Sequence, residues 1–93
     1  MRYFNVIMKD LERTLKALAN KRRLAILQYL KKAKEATVGD IAGEIKLSFA
    51  ATSRHLGVLS AADIVEKEQR SLEMWYSLNS SYSQAAKNIV ALL

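Results

Sequence analysis

Apolar residues recur along the first part of the chain at the spacing of one helical face. Ile7, Leu11, Leu15 and Leu18 form such a stripe, which predicts a first helix over 6–19 with Asn5 as its cap. Asn20 opens a second helix, in which Leu24, Leu27, Gln28 and Lys31 advance along one side while Ile26 and Leu30 widen the apolar surface as far as Lys32. Thr37, followed three residues later by Asp40, has the form of a capping box with a shortened carboxylate. It opens a short third helix carrying Ile41, Ala42 and Ile45. Lys46 and Leu47 make a tight turn, and the Ser48 hydroxyl caps a fourth helix that runs through Thr52, Leu56 and Leu59 to Ala62.

The period then changes. Residues 64–68 and 72–78 read as two strands joined at Gln69, Arg70 and Ser71. In the second strand Leu72, Met74, Tyr76 and Leu78 alternate with Glu73, Trp75 and Ser77, so Tyr76 points inward and the other face meets solvent or a partner. From 81 to 93 the period is helical again, with Tyr82, Ala85, Ala86, Ile89 and Leu93 in one stripe. The expected fold is a single domain over 1–93, mainly α with a small β-hairpin, in the order α-α-α-α-β-β-α. Two short helices flanking a three-residue turn, with a hairpin behind them, describe a winged helix-turn-helix. A helix about 10 to 12 Å across fits a DNA major groove about 12 Å wide and presents its N-terminal side chains to base edges.

Composition narrows the function classes. The chain has 93 residues, enough for one modest core, and no cysteine, so a disulfide framework, a thiolate metal site and a thiol redox switch are excluded. No apolar run approaches the roughly 18 residues of a membrane span, and Arg2 and Asn5 interrupt the opening segment, so a cytoplasmic protein is expected. The net charge of +6 is uneven: residues 1–34 carry ten basic and two acidic side chains, residues 35–93 five and seven. A positive field of that kind attracts phosphate backbones, although a charge run also describes a plain solvated face. One histidine, no phosphate-cradling glycine loop and no paired carboxylates tied to a pocket leave no basis for an enzyme, and no cofactor is implied.

The residues themselves carry a resemblance. Leu18-Ala19-Asn20, Arg23-Leu24-Ala25-Ile26-Leu27, Asp40-Ile41-Ala42, Leu47-Ser48, Ser53-Arg54-His55-Leu56, Leu59 and Trp75-Tyr76-Ser77-Leu78 look like the ArsR family of bacterial and archaeal transcriptional regulators. The resemblance implies double-stranded DNA as partner and a homodimer joined through the first and last helices. It also implies repression relieved when a ligand weakens operator binding. Ile7, Leu11, Leu15, Tyr82, Ala85, Ala86, Ile89 and Leu93 are then the dimerisation residues. Metal-sensing members place cysteines where this chain has Thr37 and Gly39, and others use His and carboxylates on the last helix, which 81–93 lacks. A thiolate-bound metal effector is therefore not expected. Lys46 and Ser71 stand where the family often has glycine.

On the recognition helix the residues matching the family's DNA-facing stretch are Ser48, Phe49, Ala50, Ala51, Ser53, Arg54 and His55. Arg54 is the leading base reader, because a bidentate Arg to guanine contact discriminates by about 1 to 3 kcal/mol. Phe49 has two readings, a contact to a thymine methyl or a core residue at the helix start. Ala50 and Ala51 permit close approach. His55, without a second histidine to share a metal, is read from its position beside Arg54 as a phosphate or base contact, with a purely packed role as the alternative. Lys67 and Arg70 on the wing, and Lys21, Arg22 and Arg23 at the start of the second helix, complete the candidate DNA contacts, with an internal ion pair as the alternative for Arg23. Cations at a helix N-terminus oppose its dipole, which suggests another use for them. The competing class is a winged-helix protein-interaction module or a nonspecific architectural DNA binder.

Overall fold

The first helix begins earlier than its sequence signals suggest. In a computed structural model describing all of residues 1–93, helix α1 runs over Arg2–Leu18 with Met1 at its N-cap and no side-chain cap, so Asn5 lies inside the helix. Asn20 does cap α2 (Lys21–Ala33), its side chain accepting from the backbone N–H groups of Arg22 and Arg23 at 2.9 and 3.1 Å. The capping box at Thr37 and Asp40 is complete and opens α3 (Val38–Ile45). Lys46 then takes a left-handed conformation, φ 56°, and Ser48 caps α4 (Phe49–Ala61) by accepting from Ala51 N–H at 3.1 Å. A β-carbon in that conformation costs on the order of 1 kcal/mol, which Lys46 bears where glycine would not.

A strand that periodicity does not reveal precedes α3. Glu35–Thr37 forms β1 and pairs antiparallel with β3 (Glu73–Leu78), which pairs in turn with β2 (Val65–Arg70), giving the order β1-β3-β2. The small hairpin is thus two strands of a three-stranded sheet. Arg70 pairs with Glu73, so the hairpin turn is Ser71 and Leu72, with φ 57° at Ser71. Leu72 is consequently 96% exposed at the wing tip, not on the inward face with Met74, Tyr76 and Leu78.

Helix α5 covers Gln84–Ala91 with Ser83 as its cap, shorter than the 81–93 stripe implied. The core sits between the helices and the inner sheet face, with Ile26, Leu27, Leu30, Ile41, Leu56, Leu59, Ile64, Val65 and Tyr76 buried. Each fully buried Leu or Ile contributes about 1.5 to 3 kcal/mol of transfer free energy. Ala86 is completely buried and Val90 nearly so, while Tyr82, Ile89 and Leu93 pack partly against the same core. Much of the last helix's apolar stripe is therefore used within the protomer, and Ala86 is a core residue rather than an interface residue.

Candidate nucleic-acid interface

Helix α4 is anchored from below and open above. Thr52, Leu56 and Leu59 are buried, while Phe49, Ala50, Ser53 and Arg54 are exposed and Ala51 and His55 half-buried. Phe49 is 63% exposed, which removes its reading as a core residue. The Ser48 cap fixes where the helix starts, so the exposed set falls on its first two turns. Arg54 and Lys21 enter no ion pair, and their side chains make no hydrogen bond to the protein, leaving both cations free at the surface.

The neighbouring arginines are not free. Arg22 donates from Nη1 to the carbonyl of Ile45 at 3.2 Å, at the end of α3. Arg23 donates from Nε to Ala17 and from Nη2 to Lys16, the last carbonyls of α1, and its Nη1 lies 3.2 Å from Nδ1 of His55. The internal ion pair considered for Arg23 is thus a carbonyl cap. The same pattern recurs elsewhere: Arg13 donates to Ala61 O at 3.1 Å, and Lys31 to Val90 O and Ala91 O at 3.2 and 3.4 Å. Helix C-termini leave carbonyls unpaired and carry the negative end of the dipole, so cations are favourable there. Four of the ten basic residues in the first 34 are engaged in this way, and that segment's charge is not simply a phosphate-binding surface.

His55 has a lowered pKa, first because burial disfavours its charged form and then because of the nearby Arg23, Arg54 and Arg22 charges. Neutral His55 is the form that can accept a hydrogen bond from Arg23.

On the wing, cross-strand partners share a face, which sorts the charges. Lys67 pairs with the buried Tyr76 and is exposed on the helix side of the sheet. Glu66, Glu68 and Arg70 lie with Ser77, Trp75 and Glu73 on the opposite, outer face, joined there by Glu35 of β1. Arg70 is clamped: Nη1 and Nη2 donate to the two oxygens of Glu35 at 2.9 and 2.7 Å, Nε donates to Glu68, and the guanidinium sits 5.0 Å from the Trp75 ring centroid. Glu35, which sequence reasoning passed over, becomes visible only through the pairing of β1 with β3.

On α1 a second surface is open. Phe4, Ile7, Met8, Leu11 and Leu15 are all exposed, Leu11 by 38% and Leu15 by 48%. Exposed apolar patches on soluble proteins serve, as a class, protein–protein contacts, membrane contacts or ligand binding.

Residues 20–67 match the model of the bacterial regulatory protein, arsR family. The chain is 33% identical to the transcriptional repressor SdpR of Bacillus subtilis over 73 residues, 78% of this chain and 80% of that protein. It is 37% identical to the transcriptional activator HlyU of Vibrio cholerae over 71 residues, 76% of this chain and 65% of HlyU. Among solved structures it superimposes with TM-score 0.82 on a homodimeric winged helix-turn-helix DNA-binding domain from Mycobacterium bovis, a possible ArsR-family transcriptional regulator, at 27% identity over 95% of this chain and 78% of that one.

Proposed function

Because the chain belongs to the ArsR family of bacterial regulatory proteins, as a DNA-binding winged helix-turn-helix regulator, we propose that it acts as a homodimeric repressor reading an inverted-repeat operator through the first two turns of α4. The observation that carries this reading is the open N-terminal face of α4, with Arg54 exposed and unpaired above a buried Thr52-Leu56-Leu59 anchor. Arg54 reads bases, while Ser48, Phe49, Ala50, Ala51 and Ser53 form the surface that approaches the groove. Lys21 and Lys67 contact phosphate. His55 keeps one ring nitrogen for Arg23 and offers the other to the DNA. Arg22, from the surface, and the half-buried Arg23 brace the helices that present these groups.

The apolar face of α1, through Ile7, Leu11 and Leu15, supplies the dimer contact, with Ala85 and Ile89 of α5 and the flanking Tyr82 and Leu93 beside it. The homodimeric state of the M. bovis structure supports this assembly. SdpR is a repressor and HlyU an activator; the greater coverage of SdpR favours repression. Working on the chromosome places the protein in the cytoplasm, and any effector acts without thiolate-bound metal. Footprinting across a genomic library tests the reading. Protection of an inverted repeat with half-sites about one helical turn apart is the expected result; uniform or absent protection overturns it.

A further inference from the structure

The outer face of the wing brings together groups that the DNA-reading surface does not use. Four carboxylates, Glu35, Glu66, Glu68 and Glu73, share it with one cation, Arg70, and with Trp75, the chain's only tryptophan. A field of four carboxylates repels phosphate. An arginine that directs three of its five N–H donors at two glutamates, one from each nitrogen, and whose guanidinium lies over an indole is already committed on the protein side. The clamp also has a mechanical consequence. Arg70 is the last residue of β2 and Glu35 the first of β1, the two outer strands, so the bidentate pair crosses over β3 and braces the hairpin against the strand that leads into α3. Fork-to-carboxylate pairing fixes direction as well as distance.

We propose that Arg70 is a positioning residue rather than a phosphate contact: held by Glu35 and Glu68 over Trp75, it sets the pose of the wing relative to the helix-turn-helix, and so places Lys67 on the DNA. The partner is the same operator, and the inference rests on the DNA-binding reading above. Exposed ion pairs add little to stability, so the effect appears in binding rather than in folding.

The test is a salt series of DNA titrations with the full chain, on wild type, Arg70→Lys, Arg70→Ala, Glu35→Gln, Glu66→Gln and the swap Arg70→Glu/Glu35→Arg, with Trp75 fluorescence recorded for each. Arg70→Lys and Glu35→Gln are expected to weaken binding about 3- to 10-fold and shift Trp75 emission, and the swap to recover most of the affinity. Arg70→Ala weakens binding to the same degree with an unchanged salt slope. Glu66→Gln, which only removes a negative charge, leaves binding unchanged or tighter, the opposite sign to Glu35→Gln. A salt slope smaller by about 1 in Arg70→Ala, with no loss in Glu35→Gln, makes Arg70 a phosphate contact and overturns the proposal. Wild-type affinity in all variants overturns it equally. A wild-type chain that binds no DNA removes the functional reading itself, and the proposal with it.

Discussion

Arg23 and His55, 32 residues apart in sequence, meet at 3.2 Å between guanidinium Nη1 and imidazole Nδ1. Because the same guanidinium closes the last carbonyls of α1, it links the end of that helix to the recognition helix. Arg23→Leu leaves those carbonyls without a charged donor; a hydrogen bond to a charged group contributes about 1.5 to 3 kcal/mol, and of the two only the one to Ala17 is partly buried, the one to Lys16 being exposed. Urea unfolding of Arg23→Leu is expected to show a loss of about 2 kcal/mol. The exposed Lys21→Ala serves as the comparison and stays within about 0.5 kcal/mol of wild type.

Burial of His55, reinforced by the charges of Arg23, Arg54 and Arg22, makes stability depend on pH. The folded His55 pKa lies below its ordinary value, so the unfolded chain takes up the proton first as pH falls. Stability is therefore fully present above pH 6.5 and declines as pH drops through 6.5 toward the folded pKa. Denaturation midpoints measured between pH 8 and pH 5 should fall on the acid side, and His55→Gln should flatten that decline.

Thr52 is completely buried in α4, and its hydroxyl has no hydrogen-bond partner. An unpaired buried polar group carries a desolvation penalty of about 1 to 3 kcal/mol, so Thr52→Val is expected to stabilise the fold by about 1 kcal/mol. Thermal unfolding measures it; a lower melting temperature would mean that the hydroxyl is satisfied in solution.

On α1, Leu11 lies in the middle of the exposed apolar stripe from Phe4 to Leu15. Leu11→Glu should leave the monomer fold intact, because the side chain already faces solvent there, and abolish self-association. Sedimentation equilibrium reads this directly. A dimer of unchanged strength in the variant would move the interface elsewhere.

What the sequence made legible was local. Asn20, Thr37 and Ser48 each cap a helix through atoms two or three residues away, so their roles follow from spacing alone. The start of α1 was not legible, because no side chain marks it. Nor was β1, three residues without alternation that become a strand only through β3. The basic residues show the same division. Their number and position are plain in the sequence, but Arg22 is used by a carbonyl 23 residues away and Arg13 by one 48 residues away. Distance of that kind also hid the pairing of Arg70 with Glu35, and with it the place of Trp75 beneath the clamp. The apolar stripe of the last helix is legible as a stripe; which side of it faces the protomer's own core is not, and Ala86 lies in that core.

Sequence reading by α4 through Arg54 is tested directly by the affinity of Arg54→Ala and Lys21→Ala for operator and random duplexes across a salt series. Arg54→Ala is expected to lose about 5- to 150-fold on the operator, the equivalent of about 1 to 3 kcal/mol, and to lose much less on random DNA. Lys21→Ala is expected to weaken both duplexes alike and to reduce the salt slope by about 1. Equal losses on operator and random DNA in Arg54→Ala, or no loss on either, would contradict the assignment of α4 as the element that reads sequence.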